Sequence, residues 1–131
     1  MLSFNQYQEE TNNYDVYSDA IRRYVDSLEI PNELKAANLR QLLGLLYTGL
    51  GMASEVGEFT GKLKKVLRDA DGELDADSLA ALRKENGDVT WYNAQAFKKL
   101  GTEFEDGAQQ NLDNLSARKQ RGTLHGSGDN R

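Results

Sequence analysis

Cysteine is absent from the sequence, and its absence excludes several kinds of chemistry. Without thiols the chain has no disulfide, no cysteine nucleophile and no zinc–thiolate site. Histidine is almost absent too. The one residue, His125, lies in a glycine-rich C-terminal segment, which leaves histidine triads and histidine-rich metal sites without ligands. Carboxylates, lysine, arginine, tyrosine and a bound metal ion therefore remain as the candidates for chemistry.

Long apolar runs are missing as well. No stretch approaches the roughly 20 apolar residues of a membrane span, and the first ten residues, MLSFNQYQEE, lack the features of a secretory signal. We therefore expect no membrane association and a cytoplasmic location. The net charge of −5 argues against broad binding to nucleic acid, although basic clusters at residues 62–68 and 118–121 are compatible with a phosphorylated ligand.

Proline and β-branched residues are scarce, which favours helices over sheets. Apolar residues recur at helical spacing and predict an all-α bundle of four to five helices. The 131 residues fit a single domain, residues 1–121, followed by a glycine-rich tail at residues 122–131. The predicted helical stretches are 4–28 (continuous, or broken near Asn12–Asn13), 33–68, 77–100 and 102–119.

Four residues predict where these helices begin and end. Asn32 is expected to cap the second helix, and Gly101 to end the third. Thr102 is the predicted N-cap of the last helix, with Glu105 as its capping-box partner three residues later. These boundaries give short connections, which favour antiparallel packing of consecutive helices.

The second helix is rich in glycine, which costs about 1 kcal/mol relative to alanine inside a helix. A break or kink near Gly44 or Gly49 is one expected consequence. The small residues also recur every four positions and form a stripe along the helix: Gly49, Ala53, Gly57 and Gly61. Such a stripe is typical of close approach between two helices, and it would equally leave room for a ligand beside neighbouring carboxylates.

Two pairs of acids are candidate metal ligands. Glu55 and Glu58 share a face of the second helix, and Glu85 and Asp88 repeat the spacing on the third. If these helices pack antiparallel, the four carboxylates converge and need a cation among them. Magnesium prefers oxygen ligands, so the pattern predicts Mg²⁺ or Mn²⁺. Solvated surface acids are the alternative, because pairs at this spacing are common in a chain with 21 Asp and Glu residues.

Other side chains share the faces of these acids. Lys62 and Lys65 follow on the second helix, either as exposed ion-pair partners or as contacts for a phosphate. Tyr92 lies one turn after Asp88 and is expected either in the core or against a nucleotide, whereas Trp91 is expected in the core or in an interface. A di-iron carboxylate centre is excluded because it needs Glu-x-x-His pairs, and neither helix has a histidine.

The segments LGMASEVGEFTGKLKKVLRD and ENGDVTWY together resemble the MazG-type all-α nucleoside triphosphate pyrophosphatases, whose motif is E-x-x-E followed by E-x-x-D. The segment NLDNLSARKQRGTLHGSGDNR is similar to the C-terminal part of single-domain members, including phage-encoded ones, so the resemblance spans about Leu42 to Arg131. It implies magnesium-dependent cleavage of a ribo- or deoxyribonucleoside triphosphate between its α and β phosphates. The products are the monophosphate and pyrophosphate, and Glu55 or Glu58 takes the proton of the attacking water.

The same resemblance implies a homodimer or homotetramer in the cytoplasm of a bacterium or of a phage-infected cell. It also reaches the last helix, where four polar residues share a face: Asn111, Asn114, Arg118 and Arg121. They form either a solvent-exposed polar surface or a phosphate clamp, and the resemblance favours Asn111 and Arg118 for the clamp. The tail adds three further candidates: His125, Asp129 and Arg131.

Three positions depart from the pattern of these enzymes. Ser54 stands where many members carry a further acid, Asn86 where they often carry a leucine, and Asn114 where they often carry a lysine. Ser54 affects the charge of the acidic site or the number of metal ions, and Asn114 leaves one phosphate contact of these enzymes open. They leave open a second interpretation, a helical interaction protein that binds nucleotide or metal without turnover.

Overall fold

Five α-helices and one short 3₁₀ helix build the chain, and a computed structural model describes its residues 2–125. No strand occurs among these residues, so the predicted all-α fold is confirmed, with five helices. None of the described helices is both long and apolar enough to cross a membrane. Residues 126–131, which include the candidates Asp129 and Arg131, lie outside the described part. The elements in chain order are α1 (Phe4–Thr11), the 3₁₀ helix (Asn12–Tyr14), α2 (Tyr17–Ser27), α3 (Glu33–Asp69), α4 (Ala76–Lys99) and α5 (Phe104–Gln120).

The first predicted helical stretch is broken, as one of its two alternatives stated. α1 begins with a capping box, in which the Ser3 hydroxyl accepts from the backbone N–H of Gln6 and the Gln6 side chain accepts from the backbone N–H of Ser3. After the 3₁₀ helix, α2 begins at Tyr17, and the carboxylate of Asp15 stabilises its first turn by accepting from the backbone N–H of Ser18 at 3.0 Å and from the Ser18 hydroxyl at 2.6 Å. These local caps hold Tyr14 in the short connection between α1 and α2.

α3 is the longest element, with 37 residues and a length of about 55 Å. Asn32 caps it as predicted, since its side-chain oxygen accepts from the backbone N–H of Lys35 at 3.0 Å. The helix continues through Gly44 and Gly49, so the predicted break at these positions does not occur. It ends in a turn at which Gly72 has a φ of 82°, a left-handed conformation that glycine adopts without strain.

α4 packs against α3, and this pair forms the main body of the fold. The two helices are antiparallel: Gly51 of α3 lies against Tyr92 of α4, whereas Lys62, further along α3, reaches Glu85, earlier on α4. α2 lies against α3, and α1 lies against α4. The antiparallel arrangement that the two acid pairs require is therefore present.

The connection between α4 and α5 differs from the prediction. Gly101 ends α4 as expected, with a φ of 71°. Thr102, however, does not cap α5. Its backbone N–H donates to the carbonyl of Phe97 and closes the end of α4 instead. The N-cap position of α5 is Glu103, whose side chain makes no capping hydrogen bond, so the predicted capping box of Thr102 and Glu105 is wrong.

Side chains of α1 take the place of that missing cap. The backbone N–H of Phe104 donates to Oε1 of Gln8 at 3.0 Å, and the backbone N–H of Glu105 donates to Oδ1 of Asn5 at 3.1 Å. Two of the first N–H groups of α5, which a helix cannot satisfy internally, are thus paired across the fold. A partner almost 100 residues away leaves no local signal for sequence reasoning to find.

The small-residue stripe of α3 does not pack against another described helix. A Cβ atom added at Gly49, Gly57 or Gly61 would meet no other atom within 4 Å. The close approach occurs instead at Gly51, where an added Cβ would lie only 2.2 Å from the ring of Tyr92. α3 therefore has an uncovered face, and three large leucines on it are 55–64% exposed: Leu42, Leu46 and Leu50.

Candidate functional site

Three of the four predicted acids meet between α3 and α4. Glu55 and Glu58 lie one turn apart on α3, and Glu85 faces them from α4. One carboxylate oxygen from each lies within 4.8 Å of the other two. Glu58 is exposed and Glu55 half-buried, whereas Glu85 is only 2% exposed. The cluster therefore opens to solvent on the α3 side and is closed on the α4 side.

Glu85 is the acid that the surface-acid interpretation explains least. Its Oε1 atom lies 3.2 Å from Nζ of Lys62 and 3.3 Å from Nζ of Lys84. Its Oε2 atom is buried and has no hydrogen-bond partner among the described residues. A buried carboxylate oxygen without a partner is strongly unfavourable. A cation or an ordered water between the three acids would remove this penalty.

The charges around the cluster are unevenly compensated. Burial raises the pKa of Glu55, and the neighbouring Glu58 and Asp88 raise it further. Burial acts in the same direction on Glu85, but hydrogen bonds and attraction from Lys62 and Lys84 outweigh it and hold the pKa of Glu85 below its usual range. Two carboxylates a few ångströms apart thus respond in opposite directions. The uncompensated negative charge is concentrated at the Glu55 side, where a cation would be most strongly attracted.

Asp88 lies beside the cluster rather than within it. Its Oδ2 atom accepts a hydrogen bond from Nζ of Lys84 at 2.9 Å, and it lines the same pocket as Glu55. The expectation that all four acids converge is therefore met by three, with the fourth at the edge. Lys84 was not among the predicted site residues, although its position directly before Glu85 and four residues before Asp88 was a usable signal.

A pocket of about 350 Å³ adjoins the acids, and three aromatic side chains wall it. The ring of Tyr92 lies so close to α3 that position 51 has no room for a side chain. Burial, then the nearby Tyr47 and Glu55, raise the pKa of Tyr92, so its hydroxyl keeps its proton. Trp91 meets Tyr92 edge-on, with ring centroids 4.8 Å apart, and its indole N–H is buried without a partner in residues 2–125. The pocket is lined by Tyr14, Glu55, Asp88, Trp91 and Tyr92.

A second pocket, of about 230 Å³, adjoins the acids further along the α3–α4 pair. Lys62, half-buried, and Lys65, exposed, provide its positive charge. Lys62 also contacts Glu85, so one ammonium group links the acids to this pocket. The structure thus places Lys62 against the acids, whereas Lys65 lines the pocket beside it. The pocket is lined by Lys62, Lys65, Val66, Ala70, Ser78 and Ala81.

The predicted phosphate clamp on α5 is not assembled within one chain. α5 packs on α1 and α4 through its first turns, where the ring of Phe104 stacks on Phe97 with centroids 5.3 Å apart. Asn111 and Arg118 lie further along α5, and neither makes a polar contact with the four acids within the described residues. Arg121 stands at the C-cap of the same helix. Within the described part of one chain, no hydrogen bond or ion pair therefore holds Asn111 or Arg118 against the acids.

Comparison with known proteins identifies a phage relative of this chain. No family model matches the chain, and no solved structure matches it. The gene 37 protein of Mycobacterium phage L5 is 42% identical over 96 residues, which cover 73% of this chain and 84% of the phage protein. The chain belongs to the family of that phage protein. Its name specifies no activity, so the resemblance to MazG-type pyrophosphatases stays a prediction, and the site itself must indicate the chemistry.

Besides Lys84, two residues that line the pocket escaped the sequence interpretation. Tyr14 belongs to a line of apolar residues that predicted only helix packing, and it comes from the 3₁₀ helix some 40 residues before Glu55. Trp91 was expected in the core or an interface, yet it is half-buried and lines the pocket beside Asp88. Helical spacing identified the faces of the acids correctly, but it gives no distance between side chains on different elements.

Proposed function

We propose that the protein is a magnesium-dependent nucleotide pyrophosphohydrolase, which converts a ribo- or deoxyribonucleoside triphosphate to the monophosphate and pyrophosphate. The observation that carries the proposal is the convergence of Glu55, Glu58 and Glu85 around a buried carboxylate oxygen that has no partner among residues 2–125. The resemblance of the two acidic motifs to MazG-type enzymes supplies the reaction. The acids alone support a cation site, and the flanking lysines and aromatic rings support a nucleotide.

A hard divalent cation fits this donor set. Mg²⁺ and Mn²⁺ take oxygen ligands, and Glu55, Glu58 and Glu85 offer one oxygen each within 4.8 Å of one another. Asp88 stands beside them as a further ligand or as a partner of a bound water. When bound, the metal neutralises phosphate charge and lowers the pKa of a coordinated water. The burial of Glu85 matters here, because a carboxylate that is only 2% exposed is not an ordinary solvated acid.

The chain's own residues have distinct tasks in this proposal. Lys62 and Lys65 contact phosphate oxygens beside the acids, and Tyr92 donates a hydrogen bond to the sugar or phosphate. Glu55 or Glu58 accepts a proton from the attacking water. The water oxygen bonds to the α-phosphorus while the bond to the oxygen bridging to the β-phosphorus breaks. The oxygen of water stays on the monophosphate, and the bridging oxygen leaves with pyrophosphate.

We include a homo-oligomer, a dimer or a tetramer, in the proposal. One chain leaves leucines of α3 exposed, and it also leaves Leu112 and Leu115 of α5 exposed. The exposed leucines of α3 in one copy can pack against those of α5 in a second copy. This packing would also bring the polar face of α5, with Asn111, Arg118 and Arg121, to the acidic site of the other copy. Leu46→Asp is expected to convert the oligomer to monomer in light scattering, whereas Leu74→Asp, in the α3–α4 connection, is not. A wild-type monomer at high micromolar concentration would rule this part out.

A protein that binds nucleotide or metal without turnover is the second candidate. The observation that favours it is Ser54, an exposed residue directly before Glu55, where similar enzymes often place another acid. Product analysis separates the two candidates, because both bind Mg²⁺ but only the enzyme releases pyrophosphate.

The direct test is a panel of ribo- and deoxyribonucleoside triphosphates incubated with Mg²⁺, with products resolved by phosphorus NMR. Monophosphate and pyrophosphate are the expected products, and orthophosphate with diphosphate would contradict cleavage between the α and β phosphates. Glu58→Gln is expected to lower kcat by about 10²–10⁴-fold, the usual effect of losing a general base or metal ligand. Glu105→Gln, an exposed acid on α5, is the matched control. Equal activity in Glu58→Gln and wild type would remove the central claim.

A further inference from the structure

Lys84 joins two of the candidate metal ligands on α4. Its Nζ atom lies 2.9 Å from Oδ2 of Asp88 and 3.3 Å from Oε1 of Glu85. These two acids are three residues apart on the helix, so their side chains share a face. An ammonium group that contacts both carboxylates occupies the kind of position that a bridging metal ion would take.

An exposed ion pair is the simpler interpretation of Lys84. It stands four residues before Asp88, and pairs at this spacing on a helix surface contribute little to stability. The contact with Glu85 differs, because the side chain of Glu85 is only 2% exposed. Oε1 of Glu85 also lies 3.2 Å from Nζ of Lys62, so two ammonium groups meet at one oxygen of a buried carboxylate. Since a buried charge depends on such partners, Lys84 is part of the acidic site.

The charges of the site match one divalent cation. Four carboxylates lie in or beside the cluster, and the ammonium groups of Lys62 and Lys84 balance two of them. The two negative charges that remain equal the charge of a single Mg²⁺ or Mn²⁺ ion. A second ion at the same acids, with no nucleotide bound, would leave an excess of positive charge, and like charges a few ångströms apart repel.

The carboxylate oxygens are divided between lysine and a metal ion in the same way. Oε2 of Glu85 is buried with no hydrogen-bond partner among residues 2–125, whereas Oε1 contacts the two ammonium groups. Glu55, Glu58 and Glu85 form the cluster that is open to an ion. Asp88 lies beside that cluster, and its Oδ2 atom is held by Lys84. One part of the site is therefore free for a metal ion, and the other part already has a cation.

Resting on the metal site of the proposed function, we infer that Lys84 takes the place of a second divalent cation, so that the acids of each chain hold one metal ion when no nucleotide is bound. Lys84 is a positioning residue in this role, because it holds Asp88 beside the cluster and neutralises part of the charge. An ammonium group donates hydrogen bonds but does not activate a coordinated water as a metal ion does. Activation of the attacking water is then left to the one bound ion and to Glu55 or Glu58.

The number of ions per chain tests this inference directly. Mn²⁺ is the probe, because it takes the same oxygen ligands as Mg²⁺ and gives an electron paramagnetic resonance signal when free. Titration of the full chain without nucleotide is expected to show one bound ion in the wild type and two in Lys84→Gln. The dissociation constant of the second ion is expected to fall by at least about tenfold in Lys84→Gln, since a nearby positive charge is removed. Two ions or none in the wild type, or one ion in Lys84→Gln, would overturn the inference.

Two further variants separate the position of the charge from its mere presence. Lys84→Arg keeps the positive charge and is expected to bind one ion. Arg83→Gln is the matched control, because Arg83 is exposed and forms no ion pair within residues 2–125, so one ion is expected there too. Two ions in both Arg83→Gln and Lys84→Gln would contradict a local role for Lys84. The side chain of Lys84 is 69% exposed, so its replacement is expected to leave the helical content unchanged in circular dichroism.

The outcomes separate this inference from the proposed function. Release of pyrophosphate by a wild type that binds two ions would overturn the role of Lys84 and leave the enzyme in place. One ion in the wild type and two in Lys84→Gln, without release of pyrophosphate from any triphosphate, would keep the role of Lys84 and remove the hydrolase.

Discussion

The α3–α4 pair and the corner where α1 meets α5 are assembled by different means. α3 and α4 are joined by a six-residue connection and pack along their lengths, so their register follows from helical periodicity. The corner is held by polar side chains that reach across the sequence. Gln8 of α1 is 3% exposed and makes three hydrogen bonds, to the carbonyls of Ala94 and Thr102 and from the N–H of Phe104. The candidate site therefore lies on the α3–α4 pair, whose register follows from helical periodicity. The corner between α1 and α5 depends instead on contacts between residues that are far apart in the sequence.

The largest expected effect on the free energy of unfolding is at the corner between α1 and α5. Gln8→Ala removes all three hydrogen bonds and leaves the N–H of Phe104, in a buried contact, without its acceptor. The expected loss in the free energy of unfolding is about 3 kcal/mol, from roughly 1 kcal/mol or more per unmade bond. Urea denaturation followed by circular dichroism measures it. Gln110→Ala, on the exposed surface of α5, is the matched control. A loss below 0.5 kcal/mol, on the same order as a surface change, would show that the corner is not held in this way.

The second effect tests the α3–α4 pair through its acids. Mg²⁺ at about 100 times its dissociation constant is expected to stabilise the wild type by about 2.7 kcal/mol. In Glu85→Gln this increment is expected to fall sharply, because the buried oxygen and its charge are lost. Thermal unfolding with and without Mg²⁺, with NaCl at matched ionic strength as the control, measures the increment. The same increment in wild type and variant would place any bound ion elsewhere.

Two glycines on the α3–α4 pair give the third comparison. Gly51→Ala would place a Cβ 2.2 Å from the ring of Tyr92, and such overpacking is expected to destabilise the fold by about 1–3 kcal/mol. Gly87→Ala places its Cβ in open space on α4, so it is expected to stabilise the helix by about 0.5–1 kcal/mol. Opposite signs in urea denaturation are the expected result. Two changes of the same sign would mean that the contact between Gly51 and Tyr92 does not limit packing.

The sequence was sufficient for the features that repeat along one helix. Glu55, Glu58, Lys62 and Lys65 lie on one side of α3 because spacings of three and four residues return to the same face. The cap of α3 at Asn32 was also predictable, since its partner is three residues away. Both features depend on the geometry of a single helix, which is nearly independent of the rest of the fold.

Contacts between distant elements were beyond the same reasoning. Gln8 has the composition of a surface residue, and only the positions of α4 and α5 make it a buried cap. Thr102 matched the pattern of a capping box, but side chains of α1 accept the first N–H groups of α5, and the N–H of Thr102 donates to the end of α4. Tyr14 joins the site because the 3₁₀ helix directs it toward α4. In each case a long-range contact competes with a local preference, and the sequence pattern contains only the local one.

The smallest expected effect lies where the two regions meet. Asp15 caps α2 through Ser18, and its carboxylate also lies 3.3 Å from Nζ of Lys99 at the end of α4. Burial alone would raise the pKa of Asp15, but the hydrogen bonds from Ser18 and the charge of Lys99 outweigh it and lower the pKa below the ordinary value of 3.8. The folded protein therefore binds this proton less tightly than the unfolded chain does. The resulting stabilisation is complete above the ordinary pKa and is lost as the pH falls through the lowered one.

Asp15→Asn tests this link, because it keeps the shape of the cap and removes the charge. The variant is expected to lose about 1 kcal/mol at neutral pH, within the range for a weakened N-cap, and to equal the wild type at a pH well below 3.8. Urea denaturation at a series of pH values measures the convergence. Asp113→Asn, an exposed acid on α5, is the control and is expected to run parallel to the wild type. A constant difference between Asp15→Asn and wild type down to low pH would mean that Asp15 acts through its shape alone. The two regions would then be joined at this point by packing and hydrogen bonds rather than by charge.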